Sequence, residues 1–237
     1  MNEWIDLYKE ILEKIRESGG DILFFRGHCD TNWKLMPTLG RFSNPNISQL
    51  EEVTYFDFQT RAGSLLSEHN SSWNNAFAMQ HHGLPTRLLD WSENFSTALY
   101  FALKNASQEC CIWILNPFEL NRVQKNNAEL FRPTDLEGTY DEYFISKEKH
   151  MNEKVLAISP LRHHPRVFNQ RAGFTIHNEL NAPLEDIFPK VVKKIVIPRS
   201  AQEGASQFLK LAGVSEFTLF PDLDGLAREL NSEHFSR

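Results

Sequence analysis

The sequence predicts an α+β fold in which helices flank a sheet. Two observations support this fold class: apolar residues recur at helical spacing in some segments, and short apolar runs of strand length lie between those segments. A third observation is that the chain shows no internal repeat, no low-complexity tract and no recognisable linker. We therefore expect residues 1–237 to form a single domain.

The composition is that of a globular protein, with 41% hydrophobic and 12% aromatic residues, which excludes a disordered chain. A net charge of −6 argues against a protein that coats nucleic acid non-specifically. The chain has three cysteines, at Cys29, Cys110 and Cys111. Their number and spacing fit neither a disulfide framework nor a set of metal ligands. With no signal-peptide pattern and no apolar run of about 20 residues, we expect a cytoplasmic protein without a membrane anchor.

The first part of the chain is predicted to contain a helix, a strand and a second helix. Apolar residues in Trp4–Ile15 recur at helical spacing, and Ser18–Gly20 ends that helix. Ile22–Gly27 is a short apolar run that predicts a buried strand. A helix is then predicted from Ser48 to about Leu66, because Ser48 and Glu51 have the spacing of a capping box.

The middle of the chain is predicted to alternate between helix and strand. Ser72–Met79 has a helical pattern, which Gly83–Pro85 breaks. After a turn at Asp90–Ser92, the strongly apolar segment Phe95–Leu103 predicts a helix, and Cys110–Leu115 predicts a buried strand.

The last part of the chain begins with an irregular polar stretch at residues 121–154. The strand candidates that follow are Val155–Ile158, Phe174–His177, Lys194–Ile197 and Phe217–Phe220. The helix candidates are Ala205–Leu211 and Asp222–Leu230.

Arg26 and Gly27 are the first candidate site residues, because they end an apolar strand. A half-buried arginine needs an anion or a carboxylate for its planar fork of donors. A bound anion and a structural pair with Asp90 or Asp30 both remain open as partners of Arg26. Gly27 either lets a ligand approach the backbone closely or serves as a turn glycine.

The segment from His81 to Ser92 supplies the other candidates. One of the adjacent histidines His81 and His82 is expected to face a site, and the absence of further ligands at suitable spacing argues against a metal. Asp90 is expected to hold Arg87 or a histidine, and Ser92 or Asn94 to cap the helix that follows. A capped helix N-terminus also favours anions, although Asp and Ser are common turn and cap residues.

Several ordered motifs resemble those of the FRG domain family over most of the chain. They are FFRGH at Phe24–His28, WKLMPTLGR at Trp33–Arg41, QHHGLPTRLLDWSENFSTALYFA from Gln80, NQRAGFTIH at Asn169–His177 and TLFPDLDGLA at Thr218–Ala227. The order of the motifs is also similar to the layout of ADP-ribosyltransferases, which are glycosyltransferases that use NAD as a substrate. This second resemblance implies a mainly antiparallel sheet.

The ADP-ribosyltransferase resemblance implies roles for single residues. Arg26 would hold the NAD pyrophosphate, Ser92 would line the nicotinamide pocket, and Gln170 would stand where that family has a catalytic Glu. Glycosidic cleavage passes through a state with positive charge on the ribose. Gln170 cannot supply the negative charge that a carboxylate would give. Either it orients the ribose while Glu93, Asp90 or a histidine contributes, or the domain binds a nucleotide without turning it over.

Two functional hypotheses follow from these resemblances. The first is an NAD-dependent ADP-ribosyltransferase or NAD glycohydrolase, acting as a toxin or antiviral defence effector on a macromolecular target. The second is a non-catalytic module that binds or senses NAD or a related nucleotide. The predicted site has the catalytic residues Gln170, His81 and Asp90, and the cofactor-binding residues Arg26, Gly27, Arg87 and Ser92. We expect Arg26, His81 and Asp90 to meet in one cleft, with Gln170 on its wall.

Overall fold

A six-stranded antiparallel sheet forms the centre of the structure, a computed structural model that describes residues 2–66, 71–160 and 171–235. The strands are β1 (Phe24–His28), β2 (Leu88–Ser92), β3 (Cys110–Leu115), β4 (Val155–Ile158), β5 (Ala172–His177) and β6 (Val192–Ile197). Their order across the sheet is β4-β5-β2-β1-β3-β6. The predicted α+β class with a mainly antiparallel sheet is therefore confirmed.

Helices cover the sheet. Their ranges are α1 (Asn2–Ser18), α2 (Ile47–Ala62), α3 (Ser72–His81), α4 (Phe95–Leu103), α5 (Pro117–Lys125), α6 (Leu184–Ile187), α7 (Arg199–Leu211), α8 (Glu216–Leu219) and α9 (Leu223–Phe235). A short π-helical turn, Asp141–Ile145, interrupts the segment that the sequence predicts to be irregular. Within residues 2–66, 71–160 and 171–235, no helix has the length and apolar character needed to cross a bilayer.

Three clusters of buried side chains hold these layers together. The first joins β1, β3 and β6 to α1, α4 and α7, with Leu99 among its fully buried members. The second joins β2, β4 and β5 to α2, α3 and the π-helical turn. The third includes Trp91, Trp113 and Leu120 of α5. Burial of this apolar surface is the main force that holds the helices on the sheet.

The sheet is paired unevenly at β1. On one side β1 pairs with β3 along its whole length, from Phe24 opposite Leu115 to His28 opposite Cys111. On the other side the register of β1 with β2 has one pair, Phe25 opposite Ser92. We call the line between β1 and β2 the seam. Because few backbone hydrogen bonds cross the seam, side chains from both strands can enter it.

Three local predictions were wrong. Asp90–Ser92 was predicted to be a turn, but these residues form the second half of strand β2. Ser48 does not cap α2, because the helix begins at Ile47 and places Ser48 inside the first turn, while Asn46 occupies the N-cap without a side-chain hydrogen bond. Phe217–Phe220 is not a strand. Ser215 begins a short helix there, since its hydroxyl accepts a hydrogen bond from the Thr218 amide at 3.3 Å and Thr218 bonds back to Ser215.

Candidate functional site

The side chain of Arg26 crosses the seam from β1 to β2. Its Nη1 donates to the backbone oxygen of Asp90 at 2.5 Å and to Asp90 Oδ2 at 2.7 Å. Its Nε donates to His28 Nε2 at 3.1 Å. The Arg26 side chain is 19% exposed and that of Asp90 is 48% exposed, so the ion pair is in contact with solvent. Arg26 therefore replaces part of the missing strand pairing and still faces the outside.

Asp90 is held from a second side by α3. Gln80 Nε2 donates to Asp90 Oδ1, and the Thr86 hydroxyl donates to Gln80 Oε1 at 2.5 Å. Burial opposes ionisation of Asp90, but the charge of Arg26 and the hydrogen bonds from Arg26 and Gln80 outweigh it and lower the pKa of the carboxyl. Asp90 is thus a fixed carboxylate. We call Arg26, His28, Gln80 and Asp90 the Arg26 cluster.

His28 is a neutral member of the cluster. Burial, and then the neighbouring charge of Arg26, lower the pKa of His28 to about 3. The neutral ring can accept the hydrogen bond from Arg26 Nε, which a protonated ring could not. The His28 ring also meets the indole of Trp33, with the ring centroids 5.9 Å apart. His28 therefore links Arg26 to an aromatic side chain.

A second arginine lies near the cluster. Arg41 ends the short helix Thr38–Arg41 and donates from Nε and Nη2 to the Met36 backbone oxygen at 3.2 and 3.0 Å. Burial, and then the charge of Arg26, lower the pKa of Arg41, whereas Asp90 raises it. Arg41 therefore feels both members of the Arg26–Asp90 pair. The charges that act on the neighbouring His28 are those of Arg26, Arg41 and Lys194, so the electrostatic surroundings of His28 are positive.

The seam and the Arg26 cluster lie within the part of the chain that matches a known family. Residues 21–110 match the family model of the FRG domain. The chain contains an FRG domain. The matched range includes the whole seam and every residue of the Arg26 cluster, and it ends at the first residue of β3. Neither the curated proteins nor the solved structures contain a match to the chain, so the resemblance to ADP-ribosyltransferases is not confirmed.

Arg87 lies elsewhere in the FRG domain. Its guanidinium forms a buried ion pair with Glu51 of α2, with Nε 2.8 Å from both carboxylate oxygens and Nη2 2.7 Å from Oε2. Tyr140 donates its hydroxyl to Glu51 Oε1 at 2.8 Å, and Arg87 lies 4.8 Å from the centre of the Phe144 ring. The structure thus commits the donors of Arg87 to joining α2 to the sheet, away from the Arg26 cluster.

Gly27 and Ser92 serve the packing of α4. A side chain at Gly27 would overlap the Ala98 carbonyl oxygen and the Ala102 amide nitrogen, so the helix backbone uses the space that the glycine leaves. Ser92 is buried, and its hydroxyl accepts a hydrogen bond from the Asn94 amide at 3.0 Å. The cap of α4 is Asn94, whose side chain accepts from the Ser96 amide at 2.9 Å.

His81 ends α3, one residue after Gln80. Its ring contacts that of His82, with the centroids 5.0 Å apart. The structure brings Arg26 and Asp90 together as predicted, and Gln80 of α3 also contacts the carboxylate. The place of His81 in this cleft stays a prediction. Adjacent residues on a helix point about 100° apart, so His81 and Gln80 leave α3 in different directions.

A second buried histidine belongs to the same neighbourhood. The Thr175 hydroxyl accepts from Trp91 Nε1 at 3.1 Å and lies 2.9 Å from His177 Nε2. Burial, followed by the charges of Arg26 and Arg87, lowers the pKa of His177 to about 3. His177 is therefore neutral and within the electrostatic reach of both arginines.

Gln170, the predicted counterpart of a catalytic Glu, lies outside the described residues. Its neighbour in the chain, Arg171, accepts a hydrogen bond at its backbone oxygen from the Glu93 amide at 2.9 Å. The expectation that Gln170 lines the same cleft as Arg26 stays a prediction. In the described ranges, no group of three His, Cys, Asp or Glu side chains is arranged to hold a metal ion.

Sequence reasoning missed four residues of this region, namely His28, Trp33, Arg41 and Gln80. Each lies inside one of the motifs that suggested the family: FFRGH, WKLMPTLGR and QHHGLP. The signal that could have found them is that every motif places a polar or aromatic side chain beside apolar residues. The polar members of the three motifs could have been grouped as one site from that signal.

Proposed function

We propose that the FRG domain binds the pyrophosphate of NAD at the Arg26 cluster and transfers ADP-ribose to a macromolecular target or to water. The observation that carries this proposal is that Arg26, held by Asp90 at a seam in contact with solvent, has a second arginine, Arg41, within electrostatic reach. An excess of positive charge at an exposed site favours a polyanion such as pyrophosphate.

Arg26 is prepared for such a ligand. Its Nη1 and Nε are held by Asp90 and His28, and within the described part of the chain its Nη2 makes no hydrogen bond. The fork is therefore fixed in one orientation, while its two Nη2–H donors have no acceptor among residues 2–66, 71–160 and 171–235. A guanidinium fixed in this way loses little conformational entropy when it binds a phosphate.

The proposed reaction breaks the C–N bond between ribose C1′ and the nicotinamide nitrogen. The bonding electron pair leaves with nicotinamide, which becomes neutral, and C1′ develops positive charge. A hydroxyl of the target, or water, then forms the new C–O bond at C1′ and releases its proton. The ionised Asp90 stabilises positive charge that develops nearby, and Gln170 is proposed to orient the ribose hydroxyls.

A non-catalytic nucleotide sensor is the second candidate, and one observation favours it. Both oxygens of Asp90 are already engaged, one by Arg26 and the other by Gln80. A carboxylate held in this way stabilises the protein's own cation more than it stabilises a ribose cation. Under this second candidate, ligand binding at Arg26 changes the contacts across the seam, and the glycosidic bond of the nucleotide stays intact.

We also propose the biological setting that the sequence suggests, a toxin or defence effector in the reducing cytoplasm. The three cysteines support the compartment, because all of them are free thiols.

An assay of NAD binding and nicotinamide release tests the proposed function. We expect the wild type to bind NAD and release nicotinamide, and Arg26→Ala to lose both, because the phosphate clamp is gone. Arg61→Ala is the matched control, since Arg61 is an exposed arginine that pairs with Asp57 on α2. Equal NAD binding by wild type and Arg26→Ala would contradict the proposed site.

Substitutions at Gln170 separate the two candidates. If the domain is an enzyme, Gln170→Glu raises nicotinamide release, because a carboxylate beside the ribose stabilises its positive charge. Gln170→Ala lowers release, because hydrogen bonds to the ribose are lost. Intact NAD binding with zero release from wild type and from both variants would establish the sensor instead.

A further inference from the structure

We propose that Trp33 is the stacking surface for the planar ring of the bound nucleotide, next to the phosphate site at Arg26. This inference rests on the proposed function, because it assigns a second part of the same binding site. It also states the ligand class more narrowly: the ligand carries a heteroaromatic ring one sugar away from a phosphate.

The exposure of Trp33 sets it apart from the other tryptophans. Trp33 is 50% exposed. The others are Trp4, Trp73, Trp91 and Trp113, which are between 3% and 7% exposed. Each of these four belongs to one of the buried clusters. A half-exposed indole costs free energy in water, and its exposure is typical of a binding surface.

The position of Trp33 relates it to the phosphate site. Its ring contacts His28 with an interplanar angle of 63° and a centroid distance of 5.9 Å. His28 in turn accepts the hydrogen bond from Arg26 at 3.1 Å. Arg26, His28 and Trp33 thus form a continuous row in which each side chain touches the next. Under this proposal, a nucleotide whose phosphate contacts Arg26 extends along this row and places its ring on Trp33.

The backbone on both sides of Trp33 is held in place, and its indole is half-exposed. The Trp33 amide donates to the Asp30 backbone oxygen at 3.3 Å, and the Leu35 amide donates to Glu185 Oε2 at 3.1 Å. In the described ranges the indole has no face-to-face partner ring, because its contact with His28 is an edge contact. A fixed aromatic surface without a stacked partner can accept a flat ring at little entropic cost.

Two alternative surfaces were weaker. The outer side of α2 exposes Leu50, Val53 and Phe56, but nothing in the structure identifies what would cover them. A polar cavity of about 740 Å³ near Cys29 and the start of α7 contains a helix N-terminus and a thiol, and no buried unpartnered group points to a ligand there. Trp33 is different, because a row of contacts joins it to the arginine of the proposed site.

The test uses the full chain and four probes: NAD, nicotinamide mononucleotide, AMP and inorganic pyrophosphate. We expect Trp33→Ala to weaken NAD binding by about ten- to a hundredfold, as the loss of one stacked ring does, and to leave pyrophosphate binding unchanged. Trp33→Phe should recover most of the affinity for NAD. The control is Phe56→Ala, which removes an equally exposed aromatic side chain from α2. Circular dichroism confirms that each variant is folded.

The outcomes separate this inference from the proposed function. If the wild type binds neither NAD nor pyrophosphate, the proposed function is wrong and the inference with it. If the wild type binds both and Trp33→Ala binds NAD equally well, only the stacking role is overturned. If Trp33→Ala loses affinity for NAD and for pyrophosphate equally, the stacking role is also overturned, because Trp33 would then shape the phosphate site. If Trp33→Ala loses affinity for AMP but not for nicotinamide mononucleotide, the stacked ring is adenine. If it loses affinity for nicotinamide mononucleotide but not for AMP, the stacked ring is nicotinamide.

Discussion

Two arginine–carboxylate pairs of the FRG domain, Arg26–Asp90 and Arg87–Glu51, have similar geometry but different contact with solvent. In both, an arginine beside or within a central strand meets a carboxylate from another element, at 2.7 Å for Arg26–Asp90 and for Arg87–Glu51. The side chains of Arg87 and Glu51 are 7% and 2% exposed, whereas those of Arg26 and Asp90 are 19% and 48% exposed. The same chemical pair therefore occupies a dry core in one place and a wet seam in the other.

The difference in solvent contact determines whether each pair is suited to a structural role or to ligand binding. Charges in a dry core must be fully paired, because an isolated buried charge costs several kcal/mol. Arg87 and Glu51 satisfy this requirement with Tyr140 as a third partner. Around Asp90, water can replace a lost partner. Arg26 can therefore exchange its contact with Asp90 for a contact with a ligand at a modest cost in free energy. A pair of the second kind is suited to binding and a pair of the first kind to holding a fold.

The largest expected effect comes from breaking the buried pair. Arg87→Met should lower the free energy of unfolding by about 3–5 kcal/mol, because Glu51 is left buried without its cation. Urea denaturation measures the change. The double variant Glu51→Leu with Arg87→Met should recover much of the loss, since no charge remains. A loss below about 1 kcal/mol in the single variant would show that water reaches Glu51 as readily as Asp90.

The next effect concerns pH, because burial, followed by nearby positive charges, lowers the pKa of His28 and of His177 and keeps both rings neutral. The pKa values of His28 and His177 are about 3 in the folded protein and about 6.5 when unfolded. Between these values the unfolded state binds more protons, so stability is lost as the pH falls from about 6.5 towards 3. Each histidine contributes a slope of up to about 1.4 kcal/mol per pH unit.

The free energy of unfolding should be measured from pH 7 to pH 5 in wild type and His177→Gln. We expect a smaller slope in the variant, because one of the two buried histidines is gone. The same slope in both proteins would mean that His177 titrates normally and that the charges of Arg26 and Arg87 do not act on it.

The smallest effect on stability is expected at the exposed pair. Arg26→Ala should lower the free energy of unfolding by about 1 kcal/mol or less, because Asp90 is half-exposed and water can solvate it. The thermal midpoint should move by a few degrees at most, although NAD binding is lost. A drop as large as that of Arg87→Met would remove the distinction between the two pairs and make Arg26 a structural residue.

The parts of the fold that sequence could predict are those with strong local patterns. Cys110–Leu115 was predicted with the bounds of β3, because a strand buried on both faces is a continuous apolar run. The helix Phe95–Leu103 was predicted equally well. The strand predicted at Phe217–Phe220 was wrong, because a run of four residues is too short to distinguish a strand from a helix. There the deciding signal was the Ser215 cap outside the run.

The site was harder to predict, because its contacts join distant parts of the chain. Arg26 and Asp90 are 64 positions apart, and their pairing was one of two possibilities that the sequence left open. The partner of Arg87 is 36 positions away on α2, and nothing near Arg87 in sequence indicates Glu51. Gln80 and Trp33 lie in motifs that the sequence could group, but their contacts with Asp90 and His28 became visible only in the structure.

The seam has a mechanical consequence. The six strands behave as two three-stranded plates, β4-β5-β2 and β1-β3-β6, that meet along one poorly bonded edge. Relative rotation of such plates breaks few backbone hydrogen bonds, so it should be the softest collective motion of the sheet. Amide hydrogens of β1 and β2 that face this edge should exchange with deuterium faster than those between β1 and β3.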